Sequence, residues 1–361
     1  MSTAKLNASV ISEKVSKIRW IPEQYSAPQS FVTGNWDFGS NNVRIWTYTH
    51  NDLTDEDVEY VPKSTAKVNI AGDVTGIEFV NLDNFLVSSS NGLVNLFNIN
   101  RDLAANNLVQ KHAFKGLHKF HGETLAPCTD LSVCGHSVAT VGEDGRLNIV
   151  NLNGMNVMRS IGDADSCSII CVDFINQKEI LTGNRMGLIK IFDSLSDQKQ
   201  PTTTLMASCE NDKISNAVSA ITHHPNQTHI VLSGCEEGSI TVWDLRQPEY
   251  PASYVSAHDT AITEIAFHPT EPVKVYTASE GGELYQWLNN SNEFTIDGMD
   301  RQPSQTETIN PWLSGERTKN TISWTPLISG LHKSINSFSV CGAKMVCSSD
   351  NEAVYFIDNC I

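Results

Sequence analysis

The chain reads as an all-β protein, a seven-bladed β-propeller, on three grounds. A turn followed by apolar, polar, apolar and large apolar residues occurs seven times, ending at Trp46, Phe97, Val150, Phe192, Trp243, Trp287 and Ile357. A strand of small residues precedes each copy, and a further apolar segment precedes each of those. Successive anchors stand 42 to 70 residues apart, against about 40 to 45 for a four-stranded blade with short loops.

The copies are NNVRIW, GLVNLF, GRLNIV, GLIKIF, GSITVW, GELYQW and EAVYFI. Period-two alternation of β-branched and aromatic residues after a Gly or Asn turn marks one strand of a hairpin. The partners are FVTG, LVSS, VATVG, ILTG, VLSG, VYTAS and MVCSS, preceded by SKIRW, VTGIEF, TDLSV, IICVDF, VSAITHHP, ITEIAFHP and INSFSV. Each unit is thus a three-stranded meander with a looser fourth strand. After Ile357 too few residues remain for that fourth strand, and an open edge is a liability. Residues 6–12, LNASVIS, are therefore expected to pair with blade seven and close the ring, making residues 1–361 one propeller. The stretch 288–320, in the longest interval, is polar and reads as an insertion with a disordered part. Its Trp312 either packs on its own blade or anchors a partner.

Lys and Arg total 25 against 41 Asp and Glu, a net charge of -16. That sign argues against a grip on DNA, RNA or an anionic membrane. Lys5, Glu13, Lys14 and Lys17 interrupt the N-terminal segment before a signal-peptide core forms, and no run approaches the ~20 apolar residues of a membrane span. The expected compartment is cytosolic or nuclear, with the nine cysteines as reduced thiols. None of the close cysteine pairs has C-x-x-C spacing. The densest set of metal-ligand types, His112, His118, His121, Cys128, Cys134 and His136, has no regular spacing and reads as a basic connector entering a buried strand. The acidic run NDLTDEDVEY lacks the glycine and ligand spacing of a calcium loop and reads as a solvated loop between the third and fourth strands of blade one. Nucleophile-elbow, phosphate-loop and H-E-x-x-H motifs are absent. No catalytic residue, cofactor, metal or small-molecule substrate is expected.

Trp243-Asp244 at a blade end and the dipeptides His224-Pro225 and His268-Pro269 resemble the WD40-repeat family. That family's network joins a His, a Ser or Thr, an Asp and a Trp. Blade six has His258, Thr277 and Trp287 with Gly281 at the Asp position, while blade three has Asp144 with Val150 at the Trp position. A closer resemblance spans nearly the whole chain. KVSKIRWIP, FVTGNWD, TVGEDGRLNIV, HHPNQTHIV, VWDLRQ, SAHDTAITEIAFHP and NPWLSG, in this order, resemble the WD-repeat nucleoporin family of the nuclear pore's Y-shaped outer-ring complex. The resemblance implies a non-enzymatic scaffold at the nuclear envelope that docks on an α-solenoid nucleoporin of the Y complex short arm. It also implies roles in pore assembly, in transport of protein and mRNA, and in kinetochore association in mitosis. A competing resemblance rests on WDLR, ending at Arg246: WD40 substrate receptors of cullin-type ubiquitin ligases use such a motif, with the arginine as a planar bidentate donor.

Overall fold

The computed structural model describes residues 5–25, 27–54, 57–101, 107–121, 124–207, 216–289 and 310–360. Seven antiparallel four-stranded sheets form the blades. Blade one comprises Val15–Trp20, Ser30–Asn35, Asn41–Thr54 and Asp57–Ile70; blade two Val74–Phe79, Asn84–Ser89, Val94–Asn100 and Asn107–Phe114. Blade three comprises Cys128–Cys134, Ser137–Gly142, Leu147–Asn151 and Asn156–Ile161; blade four Ile169–Phe174, Glu179–Asn184, Leu188–Asp193 and Thr203–Met206. Blade five comprises Val218–His223, Ile230–Cys235, Ser239–Asp244 and Ser253–Ser256; blade six Ile262–Phe267, Lys274–Ser279, Leu284–Asn289 and Ile322–Ile328. Blade seven takes Ile335–Cys341, Lys344–Ser349 and Ala353–Asp358 from the end of the chain and its outer strand, Lys5–Val10, from the beginning. Each first strand touches the first strands of both neighbouring blades, and the cycle is complete.

The seven repeat anchors lie on the third strands and are all buried. Each faces a second-strand partner across a ladder: Phe31 with Trp46, Phe85 with Phe97, Val138 with Val150, Ile180 with Phe192, Val231 with Trp243, Val275 with Trp287, and Met345 with Ile357. Seven apolar clusters result, one at each seam between blades. The small residues of the second strands have a packing cause. A Cβ at Gly34 would stand 2.3 Å from Val74, and one at Gly234 would stand 2.8 Å from Ile262. In both places the next blade's first strand fills the space a side chain would need.

Three segments stand out locally. The closing segment pairs from Lys5 with Asp358 to Val10 with Ala353, but its apolar stripe points outward. Leu6, Ala8 and Val10 are exposed, Val10 at 75%, and only Ile11, just beyond the strand, enters the core. An outermost strand has no further layer to cover one of its faces, so main-chain pairing holds it instead. The acidic run is mostly strand: the third and fourth strands of blade one each run to 14 residues, and the ladder continues through Asn51 with Glu59 and Thr54 with Asp57, while Asp55 and Glu56 lie outside the described residues. Of the polar insertion, residues 290–309 lie outside the described residues. Pro311–Leu313 forms a 3-10 turn and Gly315–Thr321 a short helix, after which Ile322–Ile328 supplies the outer strand of blade six.

Candidate interaction surfaces

Rigid presentation of loops and edges requires the seams to be fixed, and a repeated device fixes them. The ladder between first and second strands slips by one residue at the same place in every blade, at Ser16, Thr75, Thr129, Ile170, Ser219, Thr263 and Asn336. A bulge residue has no ladder partner and turns its side chain aside. Five of these residues are hydroxyls that reach the next blade. Ser16 Oγ donates to Val74 O, Thr75 Oγ1 to Cys128 O, Thr129 Oγ1 to Ile169 O, Ser219 Oγ to Ile262 O and Thr263 Oγ1 to Ile335 O, each at 2.6 Å. Asn336 Nδ2 donates to Val15 O at 3.0 Å and carries the ring across the chain ends. Ile170 breaks the series, and there Cys171 Sγ stands 3.6 Å from Val218 O. The signal was present in the sequence as Val, Cys or Ile followed by Ser or Thr at the start of five first strands.

The first strands line a central cavity of about 540 Å³. Arg19 is its hub. The guanidinium contacts Glu264 at 2.7 Å and Glu78 at 3.2 Å, and Nη1 donates to Ser337 Oγ and Phe338 O. One arginine thereby ties blades one, two, six and seven. Burial by itself would lower the Arg19 pKa, but the two carboxylates outweigh it and raise it. Asp130, whose Oδ2 accepts the Val172 N–H, is pushed up by burial to about 7.

Polar networks under the loops are more complete than the motif pattern implies. In blade six, Trp287 Nε1–H donates to Thr277 Oγ1 at 2.9 Å, Thr277 stands 2.7 Å from His258 Nε2, and His258 Nδ1 meets Glu283 Oε2 at 3.0 Å. Glu283 thus takes the acidic role that Gly281 leaves open. Indole can only donate, so Thr277 accepts from Trp287 and donates to His258, which leaves an Nδ1–H for the carboxylate. Burial lowers the His258 pKa despite Glu283, in keeping with that neutral ring. In blade three, His118 is fully buried, 2.9 Å from Asp144 Oδ1 and 3.0 Å from Thr140 Oγ1. It is a network histidine hidden in a lysine-rich connector, a role its surroundings in the sequence obscured. Burial would raise the Asp144 pKa, yet the His118 contacts and backbone N–H groups hold it below the ordinary carboxylate range.

The remaining members of the His/Cys set diverge. His112 lies on the outer strand of blade two, His121 and His136 are exposed, Cys128 is in the core and Cys134 is half-buried. Among the described residues no three potential ligands form a metal cage, and no cysteine is disulfide-bonded. Among the described residues, no helix is long and apolar enough to cross a membrane.

Trp312 is turned inward. It is 1% exposed within the cluster between blades five and six, and its carbonyl accepts from Ser253 Oγ at 2.7 Å. Its ring is therefore covered by its own propeller. Arg246 is on the surface, with Nε and Nη2 both held by the Asp244 carboxylate at 2.9 and 2.7 Å. Its fork is engaged within the WDLR segment itself.

The family described as nucleolar protein 10-like, N-terminal domain, a β-propeller family, matches residues 103–298. The nucleoporin Nup43 of Homo sapiens is 29% identical, the match covering 97% of this chain and 98% of that protein. A nuclear pore complex protein of Arabidopsis thaliana, NUP43, is 23% identical over 66% of this chain and 69% of its own length. Nup43 of Dictyostelium discoideum is 27% identical over 49% of this chain and 41% of its own length.

Proposed function

The chain belongs to the nucleolar protein 10-like N-terminal-domain family of β-propellers, and from that premise we propose that it is a non-enzymatic scaffold nucleoporin of the nuclear pore complex. The observation that carries the reading is similarity from end to end, over 97% of the chain, to a nucleoporin. A ring whose seams are latched by side chains suits a part that displays many loops and edges in fixed relation. We assign it to the outer-ring Y complex, with an α-solenoid subunit of the short arm as partner. Pore assembly, traffic of protein and mRNA, and mitotic kinetochore association are the roles that follow.

Affinity purification of the tagged protein in mild salt, with partners quantified by mass spectrometry, tests this. Outer-ring nucleoporins in stoichiometric amounts are expected, and Arg246→Ala should leave them unchanged. Recovery of a cullin and its adaptor, lost on Arg246→Ala, would replace the scaffold reading with a ligase receptor.

A further inference from the structure

A groove of about 390 Å³ runs along the rim between blades five and six. One wall is the outermost strand of blade five, through Tyr254, Val255 and Ser256; the other is formed by Thr318, Lys319, Ile322 and Trp324, with Tyr285 and Trp287 between them. Its rings are held in place. Trp324 stacks on Tyr285 at 4.9 Å, and Tyr285 stacks on His258 at 4.4 Å. The column ends in the buried blade-six network, while Trp324 remains 54% exposed and Tyr254 41%. Large, immobilised aromatic surfaces beside an outermost strand combine two features of peptide recognition.

Charge selects the occupant. The Tyr254 hydroxyl donates to Glu237 at 3.0 Å. The Tyr285 hydroxyl is pushed up to about 12 by burial, by a hydrogen bond to Glu283 and by the charges of Glu283 and Asp259. Three carboxylates therefore act on the hydroxyl ends of the two tyrosines, against a single charged lining residue, Lys319, on the helical wall. An aromatic face backed by carboxylates favours a planar, weakly hydrated cation, which stacks on the ring and retains donors for the acids.

We propose that this groove receives an extended segment of a partner protein, aligned with Ser253–Ser256, whose arginine stacks against Trp324 and Tyr254 with its guanidinium toward Glu237 and Glu283. The inference rests on the propeller being a binding scaffold and is independent of which assembly it joins. The purification above reads assembly, so failure of that reading and failure of this one are separate results.

The test uses the full chain and two short fluorescent peptides of alternating Val and Ser, identical except for Arg or Glu at the centre, followed by anisotropy. The Arg peptide is expected to bind at least about tenfold more tightly than the Glu peptide. Trp324→Ala should weaken it about tenfold, and Glu237→Gln, which keeps the side-chain shape, about threefold or more. Thermal melting of both variants checks that the propeller is intact. Equal affinity for the two peptides, no binding of the Arg peptide, or binding unchanged in both variants would overturn the proposal.

Discussion

The seam between blades seven and one and the seam between blades four and five depart from the common latch in opposite directions. At the first, three of the four strands of blade seven come from the end of the chain, and only its outer strand, Lys5–Val10, runs on into blade one. There Asn336 replaces the hydroxyl, the Ile18 and Trp20 N–H groups donate to Ser337 and Ser339, and Trp36 Nε1 donates to Asp350 Oδ1 at 3.0 Å. Trp20, Phe31, Tyr48, Tyr60 and Phe356 pack as one aromatic cluster, and Ser9 Oγ donates to Tyr60 O at 2.6 Å. At the second seam Ile170 supplies no donor. The first seam adds polar bonds between inner strands drawn from opposite ends of the chain, whereas the second lacks the common hydroxyl and keeps Asp173 Oδ2 accepting from the His223 N–H at 3.2 Å, with His223 Nδ1 at 2.7 Å.

The sharpest way to break the comparison is to remove residues 1–10. That strips blade seven of its outer strand and takes Ser9 from Tyr60. The loss is expected to be a large share of the about 5–15 kcal/mol that holds a domain folded. Urea unfolding should show a much lower midpoint; a midpoint equal to that of the full chain would mean that the ring closes without its N-terminal strand.

The buried indoles come next. Trp46→Ala, Trp243→Ala and Trp287→Ala should each cost about 3–5 kcal/mol. Phenylalanine separates their polar ends: the Trp287 N–H is bonded to Thr277, whereas Trp243 Nε1 has no partner among the described residues. Trp287→Phe should therefore cost about 1–3 kcal/mol more than Trp243→Phe, since it leaves Thr277 short of a donor. Equal costs would make the blade-six network an ornament of packing.

The next effect is confined to a pH window and lies at the seam between blades three and four, where Asp130 accepts from the Val172 N–H. Its folded pKa of about 7 exceeds the ordinary 3.8, so between these values the folded chain holds more proton than the unfolded one. Its contribution to stability should fall as pH rises through that window. Asp130→Asn should remove this slope, and identical pH profiles of stability in the two proteins would refute the assignment.

Blades and anchors were legible because period-two alternation survives in every repeat, from NNVRIW to EAVYFI. The latches were not, because a single Ser or Thr after a Val, Cys or Ile looks like any strand edge until seven sheets align it. Glu283 escaped notice because the acid sits two residues beyond the expected turn position, where its longer side chain still reaches His258. Trp312 allowed two readings, since an aromatic in a polar insertion has the same sequence signature whether it folds inward or faces a partner. The outward stripe of Leu6, Ala8 and Val10 shows the limit of hydrophobic patterning on an outermost strand, where one face lacks a layer to meet it.

The smallest predicted effect tests the seam that lacks the hydroxyl directly, through a reciprocal swap. Ile170→Thr supplies the missing hydroxyl opposite Val218 O, where Cys171 Sγ now stands at 3.6 Å. A new hydrogen bond adds about 0.5–1.5 kcal/mol, and the lost buried hydrocarbon removes about as much. The net change should lie within about 1 kcal/mol of zero. Thr129→Ile in the preceding seam is the mirror experiment: it takes the donor from Ile169 O and should cost about 1–3 kcal/mol. Matching costs for the two would show that the latches do not distinguish the seams. A larger cost at Thr129 would show that the polar ring is structural and that the seam between blades four and five is held by other contacts, among them Asp173 with His223.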